Sequence, residues 1–228
     1  MNIQSLKQLP IISESVTIDI TPLSRYGREN DIAKITSNIR LSAPLEEETN
    51  YLLPVCNSLG KTKVYLPNGD TIVNDFDPTA EADVNNLKTL MEDSLKKFEE
   101  IPSNENMNIH VANVAAYNEF KGTSQVITIP KGEQYITFSY SKTIEKTNEI
   151  NKLETIVPLS SFTLQTGGKA NIIILMPFEI TDASKIQKAN WTAPNGEVQN
   201  LKTSTEAGRI VLSQNWQNDP SVLVEYVY

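Results

Sequence analysis

Few residues of this sequence have the chemistry that a metal centre or a nucleophilic site requires. His110 is the only histidine and Cys56 the only cysteine among the 228 residues. A zinc site takes about four ligands, mainly Cys, His and carboxylates, so a site with several His or Cys ligands is excluded within one chain. Because neither residue lies in a recognisable nucleophile motif, we do not predict a Cys/His dyad. We interpret His110, in residues 108–112, as an ordinary strand residue and Cys56 as a small core side chain.

The carboxylates most favourably spaced for joint chemistry are Asp75 and Asp77, with Asp70 before them and Asp83 after them. Neighbouring carboxylates can act as an acid and a base when their pKa values are split, and they can also bind Ca²⁺ through their oxygen atoms. No EF-hand spacing follows this pair. We therefore interpret Asp77 as a helix cap and Asp75 as a solvated side chain, and keep the two as calcium candidates. No catalytic residue and no cofactor is predicted.

Two further patterns concern nucleotides and sugars. Gly167, Gly168 and Lys169 resemble a fragment of a phosphate-binding loop, but the first glycine of that motif is missing and a strand follows instead of a helix. Five aromatic residues could form a stacking platform for sugars on a sandwich face: Trp191, Trp216, Tyr26, Tyr51 and Tyr65. Aromatic side chains in β proteins, however, more often lie in the core. Since both tryptophans are next to turn-like sequences, we expect them to be the most exposed aromatic residues and candidate contacts for a ligand or partner.

One segment has the periodicity of a helix. Its apolar residues are spaced three and four apart and form a single stripe: Val84, Leu87, Met91, Leu95 and Phe98. Asp77 is a suitable N-cap, Pro78 suits the first helical position, and Pro102 ends the pattern. We therefore predict one amphipathic helix at about residues 78–101.

Most of the remaining chain alternates between apolar and polar residues, as half-buried strands do. The clearest alternating segments are residues 16–20, 35–41, 135–140 and 222–228. Residues 171–176 lack polar alternation, which predicts a central strand covered on both faces. Three Pro-x-Gly-acid sequences, beginning at Pro67, Pro130 and Pro194, predict hairpin turns in which the glycine takes a positive φ.

These elements predict a mainly β fold made of two β-sandwich units, Ig-like or jelly-roll-like, with the helix inserted in the first. We expect an N-terminal arm over residues 1–15, one sandwich over 16–150 and a second over 151–228. The charged and Asn-rich run at 145–149 favours a boundary there, and a hairpin inside one continuous fold is the open alternative. Ile3, Leu6 and Leu9 give the arm apolar side chains that could contact a partner's sheet edge.

The charge and the hydropathy of the sequence indicate which classes of partner the protein is not expected to bind. The formal net charge of −8 disfavours binding to nucleic acid and to anionic membrane surfaces. No apolar run approaches the roughly 20 residues that span a bilayer, and the first residues do not resemble a secretory signal. We therefore expect no membrane insertion, a cytoplasmic location at synthesis, and a virion or extracellular location after assembly.

The paired sandwich-like modules with Pro-x-Gly-acid turns resemble many bacterial surface and phage structural proteins. The sequence thus predicts a non-enzymatic structural or interaction protein that acts as a subunit of a larger assembly, such as a phage particle, a tail-like device or a surface layer. Its expected partners are proteins, including further copies of itself. The first alternative is a carbohydrate-binding module that uses exposed aromatic residues, and the second is a carboxylate-dependent hydrolase.

Overall fold

Strands account for most of the computed structural model, as the sequence predicts. The structure describes residues 9–54, 63–65, 67, 71–73, 78–120, 124–156, 162–193, 196–217 and 220–228. The strands are β1 (Leu9–Thr21), β2 (Asp31–Leu41), β3 (Thr49–Pro54), β4 (Lys63–Tyr65), β5 (Thr71–Val73), β6 (Ser124–Ile129), β7 (Tyr135–Thr147), β8 (Ile150–Ile156), β9 (Phe162–Leu175), β10 (Ile186–Thr192), β11 (Val198–Asn200), β12 (Lys202–Glu206), β13 (Arg209–Trp216) and β14 (Ser221–Tyr226).

Most of these strands belong to one mixed sheet with β1 near its middle. The strand order is β11-β10-β14-β8-β7-β2-β1-β9-β13-β12, with β4 also paired to β7 and β5 to β4. β1 pairs antiparallel with β2 and parallel with β9, so that Ile18 lies between Ile35 and Ile174. All three isoleucines are buried. β3 and β6 form a separate two-stranded sheet.

The sheet folds over so that strands from its two ends share one core. β7 pairs with β2 along its first part and with β8 at its end. Trp191 of β10 then packs edge-on against Trp216 of β13, with ring centroids 5.8 Å apart. A second contact between distant strands joins β14 to β2, where Tyr226 donates a 2.6 Å hydrogen bond to Asp31. Buried Ile, Leu, Val and aromatic side chains from both ends fill the space between them.

The region around the predicted domain boundary is a tight hairpin. β7 and β8 pair up to Thr147 and Ile150, and the two residues between them, Asn148 and Glu149, have positive φ values of 50° and 65°. The hairpin is the arrangement that the sequence left open as its alternative. Within the predicted N-terminal arm, residues 9–15 form the first half of β1, whereas Ile3 and Leu6 lie outside the described residues.

The predicted helix is confirmed as α1, Pro78–Glu100. A second helix, α2 (Asn104–Phe120), follows it directly, so the strand predicted for residues 108–112 is wrong. Met107, Ile109 and Val111 alternate with polar residues and imitate a strand pattern. The helical signal lies just before them, because the Ser103 hydroxyl oxygen accepts the backbone N–H of Asn106 at 3.1 Å and caps the helix.

Two of the three predicted hairpins are present. β4 pairs with β5 and β10 with β11, and Gly196 in the second hairpin has a φ of 85°, as the turn requires. At Pro130 the predicted turn is present and Gly132 has a φ of 91°, but the predicted hairpin is wrong, because the strand before the turn, β6, pairs with β3 instead of β7. The Pro130 turn connects the small sheet to the large one. The sequence of a turn therefore does not determine whether the two strands on either side of it pair with each other.

β9 is central, but only one of its faces is covered. Ile172 and Ile174 are fully buried, whereas Ile173 between them is 37% exposed. The expectation that both faces of residues 171–176 are covered is therefore wrong. None of the helices that the structure describes is long and apolar enough to cross a membrane.

Candidate functional site

The two tryptophans singled out by the sequence are core residues. Trp191 is 8% and Trp216 is 5% exposed, so the expected exposure is wrong. Strand alternation explains the difference, because Trp216 lies beside buried Ala170 and Trp191 beside buried Val222 on the inward face. Neither indole N–H has a hydrogen-bond acceptor among the described residues. Both rings thus pack inside the fold, and little of either ring is exposed to a ligand.

The other predicted site residues are not brought together. Asp75 and Asp77, the calcium candidates, lie outside the described residues, as does Cys56. Leu9 begins β1 and is in register with Phe162 of β9. His110 lies on α2, where its Nδ1 is 3.2 Å from the Ser94 hydroxyl oxygen of α1, so its contact joins the two helices. Within the part of the chain that the structure describes, no three His, Cys, Asp or Glu side chains converge as metal ligands would.

A broad polar surface covers the outward side of five neighbouring strands, β7, β2, β1, β9 and β13; we call it the open face. On β2, for instance, Thr36, Asn38 and Arg40 point outward, while Ile35 and Ile39 are buried. The open face consists of Tyr135, Thr137, Ser139, Ser141, Lys34, Thr36, Asn38, Arg40, Ser13, Ser15, Thr17, Asp19, Lys169, Asn171, Ile173, Ser213 and Asn215. Hydroxyl and amide side chains form most of it.

A row of these polar side chains crosses the strands at right angles. The strand register aligns Thr137, Asn38, Ser15, Asn171 and Asn215 side by side. Thr137 Oγ1 donates to Asn38 Oδ1, and Ser15 Oγ donates to Asn171 Oδ1, both at 2.8 Å. Since each asparagine uses its carbonyl oxygen as the acceptor, both amide NH₂ groups stay available to donate to a ligand.

The open face is basic, although the chain as a whole is acidic. Lys34, Arg40 and Lys169 are exposed, and in the described structure none of them has a carboxylate within 4.0 Å. The carboxylate of the face, Asp19, accepts a hydrogen bond from the guanidinium of Arg209. The formal net charge of the whole chain is −8. An anionic ligand would therefore be attracted to this side of the molecule in preference to the remainder.

Strand geometry sets the distances between these cations. Arg40 and Lys169 both flank Ser13, on opposite sides of β1, so their backbones are about 10 Å apart, two strand spacings. Lys34 is six residues from Arg40 along β2, about 20 Å away. The Arg40 guanidinium lies 5.7 Å from the centre of the Tyr135 ring, which holds a cation and an aromatic ring together at one border.

Two polar clusters, one partly buried around Arg209 and one buried around Asp31, stabilise the sheet around the open face. The Arg209 guanidinium donates to the Leu175 carbonyl at 3.0 Å and lies 4.9 Å from the centre of the Phe178 ring. Asp31 accepts from Tyr226 Oη at 2.6 Å, from Tyr228 Oη, and from the backbone N–H of Ser24 at 2.7 Å. Burial and the Asp31 carboxylate raise the pKa of both tyrosines. The polar groups of each cluster form hydrogen bonds within the protein, which indicates that both clusters have a structural role.

The two helices expose an unusual amount of apolar surface. Half of the exposed large hydrophobic side chains in the described structure lie on them or between them: Leu90, Leu95, Ile101, Met107, Ile109 and Val111. Their exposed fractions range from 41% to 60%. α1 packs mainly on α2, and its contacts with the sheets are few. This helical hairpin, residues 78–120, is a second candidate surface.

Neither surface was predicted from the sequence. The outward residues of β2, such as Asn38 and Arg40, were visible from alternation. Asn171 comes next to Ser15 only through the parallel pairing of β1 with β9, which joins segments more than a hundred residues apart. For the hairpin, the missing information was the existence of α2. The cap at Ser103 and the acidic Glu105 in the first turn were the available signals.

Comparison with known proteins does not assign a family to this chain. No family model and no curated protein match it. One similar solved structure is the crystal structure of a mutant two-domain M1 zinc metallopeptidase bound to L-tryptophan, with a TM-score of 0.38 and 9% sequence identity. The match covers 95% of this chain but only 42% of that one. Similarity at this level carries no argument about fold, activity or substrate.

Proposed function

We propose that this protein is a non-enzymatic interaction protein that acts as a subunit of a larger assembly, and that the helical hairpin is its contact with a second copy. The single observation that supports the proposal is the set of exposed apolar side chains on α1 and α2. Exposed apolar patches of this kind are typical of protein–protein interfaces. The carboxylates that would support the hydrolase alternative, Asp75 and Asp77, lie outside the described residues.

The contact between the two helices leaves apolar residues exposed on either side of it. α1 and α2 meet through Ser94 and His110, and through a hydrogen bond from the Asn113 amide to the Leu90 carbonyl at 3.3 Å. Apolar residues on the flanks of this contact, such as Leu95 and Val111, remain exposed. Packing two such hairpins together produces a four-helix arrangement that covers the flanks symmetrically. Because these side chains are already about half buried, covering the rest of each one contributes about 1 kcal/mol, roughly half of the value for complete burial.

The carbohydrate-binding alternative as first predicted receives no support from Trp191 and Trp216, whose rings are buried. The sandwich description also remains a proposal in its finer detail. The pairing of β1 with β9 favours one folded unit, since it joins the two predicted units in the middle of a single sheet.

The test is the size of the protein in solution. We expect the wild-type chain to self-associate at micromolar concentration, and a Met107→Glu/Val111→Glu variant to be monomeric, because two charges would then have to be buried in the interface. Asn85→Glu/Asn86→Glu is the matched control, since it adds the same two charges at other exposed positions of the hairpin. Sedimentation velocity measures the outcome, and circular dichroism verifies that each variant folds.

A monomeric wild-type protein at all concentrations would contradict the proposal. So would a Met107→Glu/Val111→Glu variant that self-associates as strongly as the control.

A further inference from the structure

We propose that the open face binds an acidic polysaccharide, a chain of sugars that carry carboxylates. This inference goes beyond the proposed self-association, because it uses a different surface and a different class of partner. It is carried by three properties of the same face: hydroxyl and amide groups in a row, exposed tyrosines at the border, and cations without carboxylate partners.

The row of hydroxyl and amide groups matches the hydrogen-bonding character of a sugar. Sugar hydroxyls both donate and accept, as do the Ser, Thr and Asn side chains of this row. The Asn38 and Asn171 amides are held by Thr137 and Ser15, so the donors are oriented before a ligand arrives. The row spans five strands, about 20 Å, which suits an extended chain of several sugar rings.

Exposed tyrosines lie at one end of the polar row, where the last rings of a bound sugar chain would contact the protein. Tyr135 is 50% exposed, and Tyr65 of β4 is 41% exposed and in register with Thr137 of the row. An aromatic ring offers an apolar face and, in tyrosine, a polar edge, which suits the C–H and O–H groups of a sugar ring. Tyr65, which belonged to the aromatic platform predicted from the sequence, and Tyr135 therefore take the stacking role that the buried Trp191 and Trp216 cannot.

Charge selects an acidic sugar chain over a neutral one and over nucleic acid. Lys34, Arg40 and Lys169 are basic on an otherwise acidic protein, and Lys202 of β12 borders the face beside Ser213. The cations are about 10–20 Å apart. Duplex DNA carries one charge per about 1.7 Å of its axis, so only a few of its phosphates would be neutralised. A sugar chain with more widely spaced carboxylates matches this spacing better.

The probe for the test is polygalacturonate in calcium-free buffer, with dextran as the neutral comparison, and binding is measured by calorimetry. We expect wild-type protein to bind polygalacturonate and not dextran. Arg40→Ala/Lys169→Ala should weaken binding by about tenfold or more. Asn38→Ala/Asn171→Ala should weaken it as well, without removing any charge. Lys97→Ala/Lys131→Ala is the matched control, since it removes two exposed lysines that lie elsewhere.

Several results would overturn the inference: no polygalacturonate binding by the wild type, equal loss of binding in the control, equal binding of dextran, or tighter binding of single-stranded DNA. The test is independent of the self-association proposal. Met107→Glu/Val111→Glu should retain polygalacturonate binding, and Arg40→Ala/Lys169→Ala should retain self-association. The failure of one proposal can thus be recognised while the other holds.

Discussion

Asp31 illustrates how single residues stabilise this fold. Its side chain is fully buried at the start of β2, where an unsolvated carboxylate requires hydrogen-bond donors. Two of those donors, Tyr226 and Tyr228, come from the opposite end of the chain. The arrangement attaches residues 226–228 to β2, whereas the sequence pattern showed only that residues 222–228 alternate.

The same cluster predicts a loss of stability at high pH. The pKa of Tyr226 is raised above its ordinary value of 10.0 by burial and by Asp31, and the pKa of Tyr228 is raised for the same reasons. The folded state therefore keeps these protons where the unfolded state loses them. The contribution to stability is complete below pH 10 and declines above it, by at most about 1.4 kcal/mol per pH unit for each tyrosine.

Urea unfolding between about pH 8 and pH 11.5 measures this effect. The free energy of unfolding should fall more steeply above pH 10 in the wild type than in Tyr226→Phe/Tyr228→Phe. Tyr135→Phe, at an exposed position, serves as the control and should follow the wild type. Parallel pH profiles for the wild type and the double variant would show that the cluster does not couple folding to these protons.

At the scale of elements, the pairing of β1 with β9 depends on a bulge. Ile11 is in register with Leu164, whereas Ser13 is in register with Lys169, so β9 accommodates extra residues at Gly167 and Gly168. These are the glycines that resembled a phosphate-binding loop. Gly167 has a φ of 80°, and a Cβ on Gly168 would lie 2.8 Å from the Gln165 carbonyl oxygen. The two glycines let the backbone of β9 approach the backbone of β1 closely at this bulge.

Gly168→Ala should therefore destabilise the protein by about 1–3 kcal/mol, because the added methyl group can be accommodated only by moving backbone. The midpoint of urea or thermal unfolding measures the change. Thr166→Ala is the matched control in the same bulge, since Thr166 is exposed. Equal stability of the Gly168→Ala variant and the control would show that the bulge relaxes without penalty.

At the scale of the whole molecule, acidic and basic residues are unevenly distributed. In the helical hairpin, acidic residues outnumber basic ones: Glu81, Asp83, Glu92, Asp93, Glu99, Glu100, Glu105 and Glu119 against Lys88, Lys96 and Lys97. The open face is basic instead. Contact between two hairpins would bring like charges together, whereas contact between the open face and an acidic chain would join opposite charges.

The two proposed interactions should therefore respond to salt in opposite directions. Raising the salt concentration from about 0.1 M to about 1 M shortens the Debye length from about 10 Å to about 3 Å. Self-association should become stronger as repulsion between hairpins is screened, and polygalacturonate binding should become weaker. Sedimentation and calorimetry on the same preparation measure both. A change in the same direction for both interactions would contradict this assignment of charges to surfaces.

The sequence by itself determined the local elements of this protein. Alternation correctly identified the inward residues of β2, such as Ile35 and Ile39, and the spacing of three and four identified α1, because both patterns arise within a single element. It failed at α2, where apolar residues follow a strand-like alternation and the cap at Ser103 was the remaining signal. Local periodicity is reliable only where one side of an element is buried.

Tertiary structure alone decided which elements are neighbours, and therefore which residues form a surface. The parallel pairing of β1 with β9 places Ser15 beside Asn171, and the folding of the sheet buries Trp191 against Trp216. Neither follows from local sequence, since contacts between distant segments depend on the packing of the whole core. For the same reason, the candidate binding residues on the open face became recognisable only when the strands were set side by side.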